Sequence, residues 1–129
     1  MRIGEVSKQL GIPVETLRYY DHIGLVVPQR HKGIRNYCRE DLQKLSAVAK
    51  MKRLMFSLEE IHTILSADEQ VDKSLKNGNA DIQAIQELLT QLQTKDQEIT
   101  QLETNLAEVK AQLSTLMDKV QTALRENQE

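Results

Sequence analysis

The chain has 129 residues, with 40% hydrophobic but only 3% aromatic content, which suits one small core rather than several domains. Its net charge of −2 hides a split: residues 1–56 carry 11 Lys+Arg against 5 Asp+Glu, and residues 57–129 carry 6 against 14, so a polyanion partner is expected at one end only. A single cysteine excludes an intrachain disulfide and fits a reducing cytoplasm, and no apolar run nears the roughly 18–20 residues of a membrane span, so a cytoplasmic protein with no membrane partner is expected.

Ile3, Val6 and Leu10 make one apolar helical stripe, and Gly11 ends it. A second helix is predicted from Pro13 or Val14, with Leu17, Tyr20 and Ile23 inward and Thr16, Arg18 and Tyr19 on other faces. Two short helices around a glycine-containing turn form a helix-turn-helix pattern. Its second helix would lay N-terminal residues in a DNA major groove, here Val14, Thr16 and Arg18, with Tyr19 reaching the backbone through its hydroxyl. Leu25 to Pro28 reads as an extended exit. Gln29–Tyr37, with Arg30, His31, Lys32 and Arg35 around Gly33, reads as a basic hairpin, a wing for the phosphate backbone. The third helix is predicted from about Glu40 to Leu54, with Leu42, Leu45, Val48, Ala49, Met51 and Leu54 inward. Lys44, Lys50, Lys52 and Arg53 lie elsewhere on it, within reach of phosphate. Ser57 followed by Glu60 is a capping box, and Leu58, Ile61, Ile64 and Leu65 face inward on a fourth helix.

These motifs, in this order and spacing, resemble the DNA-binding head of MerR-type bacterial transcriptional regulators. The resemblance is carried by the opening Met-Arg-Ile-Gly-Glu-Val-Ser, by Thr16-Leu17-Arg18-Tyr19-Tyr20 with Gly24-Leu25 and Pro28, by Gly33-Ile34-Arg35-Asn36-Tyr37 with Glu40-Asp41-Leu42, and by Phe56 through Ile61. One departure is Ile34, where that family most often has tyrosine. The resemblance implies a mainly α protein: a winged helix-turn-helix head of four helices and a short hairpin over residues 1–66, with a long coiled-coil dimerisation helix behind it. It implies wing contacts to DNA from Lys32, Arg35 and Tyr37. It also implies a homodimer on an inverted-repeat promoter, its long helices antiparallel, that bends and untwists the spacer for RNA polymerase in response to an effector.

Residues 67–79 are polar and read as a linker with one helical turn. Residues 80–126 read as the stem, and 127–129 as a disordered tail. In the stem, apolar residues recur at spacings of three and four: Ile82, Ile85, Leu89, Leu92, Ile99, Leu102, Leu106, Val109, Leu113, Leu116 and Val120. This is a coiled-coil seam that needs a partner, and Ile85 through Val120 are its dimerisation residues. Continuing the first heptad puts Asp96 on the seam, and restarting at Ile99 restores it, a three-residue irregularity.

No catalytic constellation, phosphate loop or metal-ligand cluster is visible, so neither an enzyme nor a cofactor or metal site is expected. His22, His31 and His62 are scattered. Cys38 reads as a small, partly buried residue joining wing to helix, with a redox switch as the rarer alternative. A DNA-architectural or recombination accessory factor without an effector is the rival to a regulator.

Overall fold

The computed structural model describes residues 1–76 and 82–128, which form two units, a head and a separate long helix. The head begins with α1 (Ile3–Leu10) and α2 (Val14–His22), continues through a hairpin of β1 (Gln29–His31) and β2 (Ile34–Asn36), and ends with α3 (Arg39–Arg53) and α4 (Leu58–Lys76). The second unit is α5 (Ile82–Glu126).

One core holds the head together. Val6 of α1, Leu17 and Tyr20 of α2, Leu45 and Val48 of α3 and Ile61 of α4 are buried in a single cluster with Leu25, Val26, Tyr37 and Phe56 from the connections between elements. Ile3, Leu10, Leu42, Met51, Leu58, Ile64 and Leu65 pack on its edge, so the apolar stripes expected of α1 and α4 face inward, and that of α3 does through Leu42, Leu45, Val48 and Met51. Each fully buried aliphatic side chain contributes roughly 1.5–3 kcal/mol of transfer free energy.

The helix ends follow from local chemistry. α1 closes on Gly11, whose N–H donates to the Ser7 carbonyl at 2.9 Å. α2 closes with two reversed bonds: Gly24 N–H to Asp21 O at 3.1 Å and Leu25 N–H to Tyr20 O at 2.8 Å. That pairing is the Schellman arrangement, and its left-handed residue is Gly24 at φ 78°. The reversal drives Leu25 and Val26 into the core and leaves Ile23 exposed, so Ile23 does not face inward as the helical spacing had suggested. α3 ends in the same way, with Met55 N–H to Lys52 O at 3.0 Å and Phe56 N–H to Met51 O at 3.0 Å. Here the left-handed residue is Met55 at φ 69°, and the turn sends Phe56 inward while Leu54 is left in solvent, again contrary to the inward placement of Leu54.

α4 opens with the predicted box. The Ser57 N–H donates to Glu60 Oε1 at 2.8 Å, and the Glu60 N–H donates to Ser57 Oγ at 3.1 Å. α4 then runs on to Lys76, so residues 67–76 are helical where a polar linker with one turn was expected. Ser66 Oγ donates to the His62 carbonyl at 2.7 Å and accepts from Gln70 Nε2 at 2.7 Å, an i,i+4 side-chain bond that lends this polar stretch a few tenths of a kcal/mol, about the usual range for such a pair. Residues 77–81 lie outside the described residues. α5 is continuous through Asp96, whose carbonyl accepts from Thr100 Oγ1 at 3.0 Å, so the seam irregularity does not break the backbone. At Asn127, expected in a disordered tail, the side-chain amide donates to the Ala123 carbonyl at 2.8 Å.

Candidate nucleic-acid interface

The wing is a tight hairpin. Gln29 pairs with Asn36, Arg30 with Arg35 and His31 with Ile34, which leaves Lys32 and Gly33 as a two-residue loop. Both have positive φ, 54° and 80°, as a type I′ turn requires. The left-handed conformation is free for Gly33 and carries a cost for Lys32, which places the lysine at the exposed tip.

One carboxylate ties the wing to α2. Asp21 Oδ2 accepts from Arg35 Nε at 2.6 Å and from Arg30 Nη2 at 3.3 Å. The Asp21 side chain is only 10% exposed and Arg35 24%. The cross-strand pair Arg30 and Arg35 would otherwise place like charges opposite each other, which destabilises a hairpin. Asp21 also sits in the last turn of α2, where the helix dipole disfavours an anion, so the two guanidiniums offset two local conflicts at once. Asp21 escaped the sequence reading. The signal that could have exposed it is an acidic residue at a helix C-terminus beside an arginine-rich hairpin.

On α2, Leu17 and Tyr20 are buried, Val14 and Thr16 are partly covered, and Arg18 and Tyr19 face solvent. Tyr19 is 50% exposed, with its ring centroid 6.5 Å from that of Tyr20. Arg18 donates through Nη1 to Glu15 Oε1 at 2.8 Å, with side chains 52% and 85% exposed. Such a solvent pair contributes at most about 1 kcal/mol, so Arg18 is readily released to another acceptor. The structure therefore brings Arg18, Tyr19 and the wing tip to the head's surface.

It does not bring Tyr37 there. That residue, expected among the DNA contacts, is 2% exposed, and its hydroxyl is buried with no hydrogen-bond partner. The chain must enter the core between the wing and α3, and Tyr37 fills that entry. Arg35 is surface-accessible only in part, and its Nε is committed to Asp21. Cys38, expected to be partly buried, is exposed. Its N–H donates to Asp41 Oδ2 at 2.9 Å at the start of α3. Among the described residues, no group of His, Cys, Asp and Glu is placed to hold a metal ion, and no helix is long and apolar enough to cross a membrane.

A helix-turn-helix with a basic β-wing defines a DNA-binding head, and comparison with known proteins places it. The family described as MerR HTH family regulatory proteins matches residues 1–68. The transcriptional regulator HmrR of Rhizobium leguminosarum is 38% identical over 108 residues, covering 82% of this chain and 81% of the relative. A ZntR homolog of Haemophilus influenzae, also an HTH-type transcriptional regulator, is 30% identical over 112 residues, covering 85% of this chain and 81% of the relative. The fold is shared with a crystal structure of a Listeria monocytogenes protein assigned to the MerR family, with a TM-score of 0.51 at 23% identity over 98% of each chain. The chain belongs to the MerR family of DNA-binding transcriptional regulators.

Proposed function

We propose that this regulator acts as a homodimer on an inverted-repeat promoter site and carries its DNA contacts on α2 and the wing. Val14, Thr16, Arg18 and Tyr19 read the major groove and its flanking backbone, and Lys32 meets phosphate at the wing tip. Arg35 holds the wing to Asp21 and offers the remainder of its guanidinium to the backbone. Tyr37 supports the wing from beneath and makes no DNA contact. The observation that carries this reading is the exposed Arg18–Tyr19 pair, backed by buried Leu17 and Tyr20 and flanked by a carboxylate-anchored basic hairpin.

The α5 stripe supports dimerisation. Leu89, Leu102, Leu106, Val109, Leu113, Leu116 and Val120 are exposed apolar residues on one long helix, with Ile99 among them. A second copy covers them, and in doing so places two heads on one duplex, whose successive grooves repeat every 34–36 Å, or about one turn. Family membership suggests the rest: the dimer bends and untwists a promoter spacer so that RNA polymerase engages it, and an effector changes that deformation, whose energy depends on the spacer sequence. The working site is the cytoplasm, and no catalytic step or cofactor enters.

The test is fluorescence anisotropy with duplexes selected from a random pool by the purified protein. Arg18→Ala is expected to weaken the selected duplex by about 1–3 kcal/mol and to relax preference at one position per half-site. Wild-type affinity that does not fall with salt, or an Arg18→Ala protein that binds as wild type does, would refute it.

A further inference from the structure

Beside the wing lies an open cleft of about 280 Å³ lined by Arg2, His31, Lys32, Ile34, Arg35 and Asn36. No carboxylate lines it. Arg35 has its counter-ion in Asp21, but Arg2 and Lys32 form no ion pair among the described residues. An unbalanced basic cleft of this size accommodates one phosphodiester group.

Arg2 is out of place by every local rule. It is the N-cap of α1, a position that favours Ser, Thr, Asp or Asn, and it makes no side-chain cap bond. A cation there also opposes the helix dipole. Yet its backbone is fixed on both sides. Its carbonyl accepts from the Glu5 and Val6 N–H groups, both at 3.1 Å, while the neighbouring Met1 carbonyl accepts from the Tyr37 N–H at 2.7 Å. The start of the chain is thereby stitched to the end of β2, which sets Arg2 among the residues that line the cleft beside the wing. A local conflict without a structural return marks a functional position.

We propose that Arg2 and the wing-tip Lys32 form a basic cradle that grips one phosphate of the DNA backbone, coupling the start of α1 to the wing on the duplex. This rests on the DNA-binding reading above and adds Arg2 to its contacts. The two cations approach from different chain segments, so the grip also fixes the wing's orientation relative to α1.

The test measures the salt dependence of binding to a labelled mixed-sequence duplex. Arg2→Ala is expected to make the slope of log K against log salt shallower by about 0.9, the loss of one phosphate contact. Arg2→Lys is expected to keep the wild-type slope, since the charge is retained. Lys32→Asn, which tolerates the left-handed backbone, serves as a second variant with a similar shallowing, and circular dichroism verifies that each variant is folded. A folded Arg2→Ala protein with the wild-type slope overturns the cradle and leaves the DNA-binding reading standing, whereas a folded Lys32→Asn protein with the wild-type slope overturns the cradle and the wing-tip phosphate contact together. A wild-type protein whose binding shows no salt dependence overturns both.

Discussion

The Tyr37 hydroxyl is buried without a partner, and a buried unsatisfied donor costs about 1–3 kcal/mol. Tyr37→Phe removes that cost and keeps the ring that fills the entry to α3. It is expected to raise the melting temperature and leave DNA affinity unchanged. A lowered melting temperature would show that the hydroxyl has a bonding partner, and a loss of affinity in a folded protein would return Tyr37 to the DNA contacts. The same residue has a pH signature. Burial holds the phenols of Tyr20 and Tyr37 above the ordinary value of 10.0. The unfolded chain then ionises first, so the stabilising effect is whole below pH 10.0 and is lost as pH climbs through the raised values. In Tyr37→Phe the fall in stability above that pH is expected to be shallower. Met55 shows the opposite kind of strain. It stands where Gly24 stands at the end of α2, left-handed and exposed, and a side chain there costs on the order of 1–2 kcal/mol.

At the scale of the element, the wing depends on Asp21. Removing its charge leaves Arg30 and Arg35 facing each other across the hairpin with no anion between them. Asp21→Asn is expected to cost about 1.5–3 kcal/mol, the range for hydrogen bonds to charged groups. Amide exchange in Gln29–Asn36 is expected to quicken more than in α3, and DNA affinity to fall although no contacting residue has changed. Uniform exchange rates across the head, with affinity intact, would show that the hairpin holds itself. Much of this element was legible in the sequence. Lys32-Gly33 between two polar arms announces a turn, Gly24 announces the end of α2, and Ser57 with Glu60 announces the start of α4. What was not legible arises where tertiary geometry overrides periodicity. Ile23 and Leu54 fit a helical stripe, but each falls where a left-handed residue turns the chain away, and the next apolar residues take the core places. The resemblance of residues 33–37 to a wing puts Tyr37 among the DNA contacts, but a motif match carries no depth, and the residue is buried. Asp21 was missed because its partners lie 9 and 14 residues away. The helix through residues 67–76 was missed because exposed polar residues carry no apolar period, while side-chain bonds such as Gln70 to Ser66 support them one turn apart.

For the whole molecule, the question is whether two heads act as one. α5 has 45 residues, about 68 Å of helix at 1.5 Å per residue, with an apolar stripe in solvent from Leu102 to Val120. Met117 widens that stripe beyond the seam read from the sequence, joining Leu113, Leu116 and Val120 along a shallow apolar groove. In a two-fold dimer every seam residue is buried twice. Leu106→Asp therefore removes two leucines' worth of burial, roughly 3–6 kcal/mol, and weakens the dimer by about 10²- to 10⁴-fold before the buried charge is counted. Sedimentation at micromolar concentration is expected to show a dimer for wild type and a monomer for Leu106→Asp. The head's core lies entirely within residues 6–61, so its melting is expected to survive the change. Affinity for an inverted repeat should then drop sharply while affinity for a single half-site stays near wild type, because only the linked pair gains from the second head's effective concentration. If Leu106→Asp remained dimeric, or if both affinities fell together, the stem would not be what joins the heads, and the exposed stripe would belong to a different partner.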